Sequence, residues 1–268
     1  MRLNFSANII LYDFFVAISK NNRHFRFFTI FNICNATSGL VMTCRKKVFT
    51  SEKSIDECGF SRTDLSYYSQ GKITFNKHLL FQRSNYILVG EGITCAHKGF
   101  AATVTTAEQI KEVGNPICVI ENAKEFNEGD VIVINKFGEI AFVYEISSKH
   151  NAIMATERCN HRCIMCPQPP ILQEKDKTPF NLHLITLFDK GTREIGITGG
   201  EPTLIGDNLF LLIKQIQKHL PKTAISILSN GVKFADKEYA MKLAKCFHHD
   251  LQIDIPLFSD IAEEHNRI

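Results

Sequence analysis

EIGITGGEPTLIGDNLFLLIKQIQKHL, residues 194–220, reads as strand, turn and helix in immediate succession. Glu194 to Thr198 has the short apolar run of a buried strand and ends in Gly199-Gly200-Glu201-Pro202. Asp207 is placed to cap a helix running to Leu220. Leu209, Leu212, Ile213, Ile216 and Leu220 recur there at helical spacing on one face, and Pro221 stops it. The same unit repeats on either side. A strand is expected at Ala152 to Thr156, another at Ala224 to Leu228 before Ser229-Asn230-Gly231, and a fourth at Leu251 to Ile255. A helix starting near Asp236 carries Tyr239, Leu243 and Cys246 or Phe247 at helical spacing, and the last residues begin a new helix. Repeated βα units build a parallel sheet with right-handed crossovers, and such sheets bind ligands at the C-terminal ends of their strands.

The first of these strands runs directly into Cys159-Asn-His-Arg-Cys163-Ile-Met-Cys166, three cysteines separated by three and then two residues. Three is the informative number. A closed structural zinc site takes four protein ligands, and a ferredoxin-type cluster takes four cysteines. An iron cluster held by this loop alone keeps one iron open to an outside ligand. That iron can chelate the amino and carboxylate groups of S-adenosylmethionine, so that one electron splits a carbon–sulfur bond to give a 5′-deoxyadenosyl radical. The competing reading is a zinc site completed by His161 or a distant residue, although a histidine so close to its neighbours strains a tetrahedral arrangement. Gly199-Gly200-Glu201-Pro202 at the next strand end weighs for the cluster. Its glycines permit close backbone approach, and its carboxylate can accept hydrogen bonds from an ammonium group.

Cys-x3-Cys-x2-Cys, Gly199-Gly200-Glu201-Pro202 and Ser229-Asn230-Gly231 on successive strand ends resemble the radical S-adenosylmethionine (radical SAM) superfamily. Ala155-Thr156-Glu157-Arg158-Cys159-Asn160, Cys163-Ile164-Met165-Cys166-Pro167-Gln168-Pro169-Pro170 and Ile255-Pro256-Leu257-Phe258-Ser259-Asp260 resemble, more narrowly, the C-type radical maturase of the His-Xaa-Ser peptide-modification system. The likeness runs from about residue 85 to the end. It implies a partial (βα) radical SAM barrel preceded by a small mostly β domain, with a [4Fe-4S] cluster and S-adenosylmethionine as cofactors. Cys159, Cys163 and Cys166 are then the iron ligands, and Gly199, Gly200, Glu201 and Pro202 form the segment against the methionine amino group. Met165 lies where many members carry an aromatic residue beside the adenine, which keeps the backbone contact but changes the packing. Ser229 and Asn230 fall at the ribose edge, with a plain turn as the alternative. No catalytic side chain is assigned beyond the cluster ligands. The implied partners are a ribosomally made peptide with His-Xaa-Ser repeats, a sister radical SAM maturase and an electron donor. Only four of the six barrel strands can be counted, so the core at 151–268 is expected to be truncated, which puts the activity of the isolated chain in question.

The half before residue 150 has a different texture. Strand-like runs at 86–89, 100–104, 117–120, 131–134 and 140–144 are separated by turn residues, and the last two suit a hairpin through Asn135-Lys136-Phe137-Gly138. We therefore expect a mostly β domain over 85–150, after an N-terminal region, 1–84, that shows no sustained period. Among 268 residues, 31 basic and 28 acidic side chains are spread along the chain for a net charge of +3, so no basic run marks a nucleic-acid surface. Asp13 splits the apolar N-terminal runs, no small-residue cleavage site follows, and Phe27 to Met42 is interrupted by polar residues. The expectation is a cytoplasmic chain with no membrane partner. The cysteines outside the triad, Cys34, Cys44, Cys58, Cys95, Cys118 and Cys246, are read as small buried hydrophobes.

Three functions are compatible with these features. The first is reductive S-adenosylmethionine cleavage to modify a peptide, and the second is the same chemistry on a small molecule. The third is a non-catalytic metal-binding fragment.

Overall fold

The computed structural model describes residues 41–43, 46–48, 67–95, 97–107, 117–135, 139–164, 166, 170–265 and 267. Met165 and Pro167 to Pro169 therefore lie outside the described residues, as do nearly all of residues 1–66 and the tip of the expected hairpin. The chain divides into two compact units, whose described parts are residues 152–185 with 190–267 and residues 41–151 with 186–189.

The second unit is built on an eight-stranded mixed sheet. Its strands are β1 (Val41–Thr43), β2 (Lys46–Val48), β3 (Tyr67–Thr74), β4 (Tyr86–Gly90), β5 (Ala102–Thr105), β6 (Ile117–Val119), β7 (Val131–Asn135) and β8 (Glu139–Tyr144), in the order β1-β8-β7-β3-β4-β5-β6-β2. β7 and β8 pair antiparallel as the hairpin reading requires, whereas β3 to β6 run parallel to one another. Ile73, Ile87, Val89, Val104, Ile132, Ile134 and Ile140 form the centre of its apolar core with Phe126. β-Branched residues dominate because they fit a pleated surface covered by neighbours. Cys118 in β6 is buried in this core and disulfide-bonded, a covalent role that its isolated position in the sequence did not signal.

The first unit holds β9 (Asn151–Thr156), α1 (Thr178–Leu187), β10 (Glu194–Gly199), α2 (Asn208–His219), β11 (Ala224–Leu228), α3 (Lys237–Ala244), β12 (Leu251–Asp254) and the single turn α4 (Ala262–His265). Its sheet has the order β12-β11-β10-β9, with β10, β11 and β12 parallel. Strands added strictly in sequence, each after a helix, form one continuous winding rather than the reversed order of a doubly wound sheet. This is the α/β pattern of a partial (βα) barrel, preceded in the chain by the β-rich unit, as expected.

The two faces of the four-stranded sheet differ. Ile195, Ile225 and Leu251 share one row and Ile197, Ile227 and Ile253 another, all buried. The alternate rows carry Gly196, Ser226 and Gln252, then Leu228 and Asp254. Parallel sheets covered on both sides are apolar on both. Here the second face carries a polar group of its own: Asp254 accepts from Ser226 Oγ through Oδ2 and from Gln252 Nε2, at 2.5 Å, through Oδ1. Asp254 and Ser226 are nevertheless buried.

Helix ends follow local chemistry, with one exception. Asp236 caps α3, its Oδ1 accepting from the amides of Glu238 and Tyr239, and the Lys233 ammonium at 3.0 Å helps to hold its carboxyl below the usual range. Asp207 stands at the start of α2 but does not cap it. Its carboxylate is taken by Lys242 of α3 at 3.2 Å, so a tertiary ion pair replaces the expected cap. His248, between α3 and β12, is buried, with Nδ1 3.0 Å from the Asp250 carbonyl. Burial, and after it the neighbouring His249, pushes its pKa below the ordinary 6.5. The unfolded chain then takes up this proton first, so His248 contributes stability that is complete above about pH 6.5 and falls as the solution is acidified. Calorimetry between pH 8 and 5 should show the thermal midpoint falling below pH 6.5, with a shallower fall in His248→Gln. Among the described residues no helix is long and apolar enough to cross a membrane.

Candidate functional site

The C-terminal ends of β9, β10 and β11 are joined by hydrogen bonds between residues that the sequence placed apart. Gly199 and Gly200 lie directly beneath the backbone that leaves β9. The Gly200 amide donates to the Thr156 carbonyl at 2.7 Å, and the Glu201 amide donates to the Arg158 carbonyl at 2.8 Å. A Cβ at Gly199 would lie 2.1 Å from Thr156 O, and one at Gly200 would lie 2.2 Å from Arg158 O. Gly199 also takes a φ of 138°, outside the range of ordinary L residues. The glycines thus serve a close backbone approach, and the backbone that approaches is the entry to the cysteine loop.

Glu201 is buried at 1% exposure and joins two strand ends. Its Oε1 accepts from the Thr203 amide at 3.0 Å, Thr203 Oγ1 at 2.6 Å and Ser229 Oγ at 2.8 Å, and its Oε2 accepts from the Asn230 amide at 2.7 Å. Four donors stabilise a charge that burial alone would make costly. Most of the acceptor capacity of this carboxylate is spent within the chain, and what remains lies mainly on Oε2. Pro202, also buried, opens the single 3-10 turn Pro202–Ile205 that carries Thr203 to the carboxylate. Ser229 and Asn230 are therefore more than a turn. Asn230 Nδ2 donates to Asn160 Oδ1 at 2.7 Å, which ties the end of β11 to the cysteine loop. Gly231 follows with a φ of 79°.

Removing the Glu201 side chain leaves the Thr203 and Asn230 amides and two hydroxyls without their acceptor in a buried place. Glu201→Ala is expected to cost about 3 kcal/mol on the scale of lost buried acceptors. Glu201→Gln, which keeps Oε1 but turns an amide group toward the Asn230 N–H, should cost less, and urea unfolding would measure both.

The loop from Glu157 to Lys177 carries the thiols. Cys159 and Cys163 are half-buried and Cys166 is exposed, and none of the three is in a disulfide. The Cys166 amide donates to the Cys163 carbonyl at 3.0 Å, turning the chain between them, and the His161 amide donates to Cys159 Sγ at 3.4 Å. Burial raises the Cys159 thiol pKa above 9.0, and Glu201, Cys163 and Cys166 raise it further by their charge, against the His161 amide. A positively charged iron centre bound at Cys159 would relieve this penalty on its thiolate. Among the described residues no three His, Cys, Asp or Glu side chains form a group that could hold a single ion. Three thiols on one loop, none of them in a disulfide, are the kind of donor set that an iron–sulfur cluster takes.

Thr203, Asn160, Arg158, Glu174 and Lys177 belong to this region and were not singled out from the sequence. Thr203 stands two residues after Glu201, the spacing of a side chain that folds back on a turn, and this was the one readable signal among them.

Comparison with known proteins agrees with the fold. The sequence model of the radical SAM superfamily matches residues 153–267, so this part of the chain is a radical SAM domain. The chain is 28% identical over 188 residues to the mitochondrial GTP 3′,8-cyclase of Arabidopsis thaliana, covering 66% of this chain and 44% of that protein. It is 32% identical over 107 residues to the GTP 3′,8-cyclase of Desulforamulus reducens, covering 38% and 33%, and 35% identical over 97 residues to that of Campylobacter jejuni, covering 34% and 29%. The chain thus spans less than half the length of these curated relatives. No solved structure matches it. The cofactors expected from the sequence, a [4Fe-4S] cluster and S-adenosylmethionine, are those of this superfamily.

Proposed function

Since residues 153–267 are a radical SAM domain, we propose that the chain holds a [4Fe-4S] cluster through Cys159, Cys163 and Cys166, binds S-adenosylmethionine at the adjoining strand ends, and acts on a small molecule. The observation that carries the reading is the pair of backbone hydrogen bonds from Gly200 and Glu201 to Thr156 and Arg158, which fixes the glycine turn against the foot of the cysteine loop. The cluster, when bound, supplies the electron that cleaves the sulfonium. The chain's own groups orient and enclose. The Gly199 to Pro202 turn offers backbone and the remaining acceptor of Glu201 to an ammonium group, while Ser229 and Asn230 are held in place by that same carboxylate. Met165 is assigned to the adenine by resemblance alone.

A small-molecule substrate is favoured by the relatives, whose names give a nucleotide, GTP, as what they act on. The small-molecule reading is the second of the functions compatible with the sequence, and the relatives favour it over the peptide maturase. The peptide reading keeps one specific support, the resemblance of residues 155–170 and 255–260 to the C-type maturase, and it brings with it the repeat-containing peptide and the sister enzyme as partners. Both readings need an electron donor. Anaerobically reconstituted protein given dithionite and S-adenosylmethionine should release 5′-deoxyadenosine, and absence of that product from cluster-loaded protein would refute reductive cleavage. A rise in its yield with GTP, but not with a His-Xaa-Ser repeat peptide, supports the small-molecule reading, and the reverse supports the peptide reading.

A further inference from the structure

A buried ion network lies at the foot of the cysteine loop, and nothing in the mechanism above uses it. Lys177 places its ammonium 3.1 Å from Glu174 Oε1 and 3.4 Å from Glu157 Oε1, with side-chain exposures of 7%, 4% and 13% for Lys177, Glu174 and Glu157. Glu174 turns back on the strand end that launches the loop. Its two oxygens accept from the Glu157 amide at 3.0 and 2.9 Å, and one of them also accepts from Thr156 Oγ1. The Ile171 amide closes the same junction by donating to the Glu157 carbonyl at 3.2 Å. The chain that leaves β9 at Thr156 and the chain that enters α1 at Thr178 are thereby clamped to each other, and all three cysteines lie on the segment between.

We propose that Lys177 and Glu174 are positioning residues which clamp the foot of the loop so that its three thiols are held for the cluster. The inference rests on the reading of Cys159, Cys163 and Cys166 as cluster ligands, and it adds a role for residues that touch neither cluster nor substrate. Three features support a clamp over a chance surface pair. The network is buried, where a charge left without its partner is costly. It spans the loop's two ends rather than one turn of helix. Of its two acids, Glu174 also accepts from backbone and hydroxyl donors of the loop's own first residues, Thr156 and Glu157, whereas Glu157 relies on Lys177 and keeps Oε2 buried without a hydrogen-bond partner. Groups that orient metal ligands from one layer behind typically change metal affinity by about 10–100-fold when removed.

The test compares the wild-type chain with Lys177→Met, Lys177→Arg and Glu174→Gln, all reconstituted anaerobically with iron and sulfide. The readouts are the rate of iron loss to a chelator, the midpoint potential of the cluster and the thermal midpoint of the metal-free chain. Lys177→Met and Glu174→Gln should lose iron at least about tenfold faster with a shifted potential, and Lys177→Arg should restore retention. Unchanged iron loss and potential in Lys177→Met, whatever its thermal midpoint, would overturn the proposal. Should the wild-type chain take up no cluster, the parent reading fails by itself. Hydrogen exchange on the metal-free chain then decides the clamp. Amides between Cys159 and Ile171 exchanging faster in Lys177→Met, but not in Lys177→Arg, support it, and equal exchange overturns it.

Discussion

Cys163→Ala is expected to yield a folded chain that assembles no stable cluster. The thiol lies on a half-buried loop, is in no disulfide, and is absent from the buried apolar core, so removing it opens no cavity of consequence. What it removes is one of three iron ligands. Two thiolates leave two irons open, and iron per chain after reconstitution should fall by about tenfold or more. The same outcome is expected for Cys159→Ala and Cys166→Ala. Cys95→Ser is the control: Cys95 is a thiol outside the loop and its loss should leave iron content unchanged. The far-ultraviolet circular dichroism of all four variants should match the parent. A chain that lost a loop cysteine and still took up a full complement of iron would remove that residue from the ligand set.

Gly200→Ala should unfold the site and much of the stability of its unit together. A Cβ there would meet Arg158 O at 2.2 Å, its carbonyl carbon at 2.6 Å and Glu157 O at 3.0 Å, all backbone atoms that no rotamer change can move. Relief requires the entry to the cysteine loop to lift away, which breaks the bonds from the Gly200 and Glu201 amides to Thr156 and Arg158. Overpacking against fixed backbone together with two lost hydrogen bonds puts the cost at roughly 3 kcal/mol or more. Gly199→Ala adds an unfavourable φ to a comparable clash and should be at least as severe. Gly206→Ala is the informative comparison. Its φ of 62° is strained for alanine, but nothing lies within 4 Å of the added carbon, so a loss of only about 1 kcal/mol is expected. Thermal unfolding and iron content, measured on the same samples, should fall together for Gly199 and Gly200 and separate for Gly206.

The strands and helices that frame the site were legible because their apolar residues recur cleanly. The isoleucine rows of β10 and β11 and the stripe of α2 each follow one period, and Pro221 and Asp236 mark ends by local chemistry alone. α1 was missed for the opposite reason. Thr178 to Leu187 is apolar on more than one side, with Leu184, Ile185 and Leu187 all buried, so no polar face defines a helical period. The cysteine triad and the Gly-Gly-Glu-Pro turn were visible as motifs, and so was the close backbone approach that the glycines permit. Which backbone comes close, the Thr156 and Arg158 carbonyls at the entry to the cysteine loop, depends on the pairing of strand ends and was not legible. Asp207 was read as a cap because a cap is a local event, and it serves instead in an ion pair with Lys242, 35 residues away in sequence. The clamp of Glu174, Lys177 and Glu157 had no sequence signal, since its meaning arises only when two ends of a loop are brought together.

What the three thiols bind decides the function, and electron paramagnetic resonance of the anaerobically reconstituted, reduced chain addresses that most directly. The expected result is the signal of a reduced [4Fe-4S] cluster, at four irons and four sulfides per chain, whose g values shift when S-adenosylmethionine is added because the ligand occupies the iron that the protein leaves open. A colourless chain carrying a single zinc, or a cluster signal indifferent to S-adenosylmethionine, would contradict it.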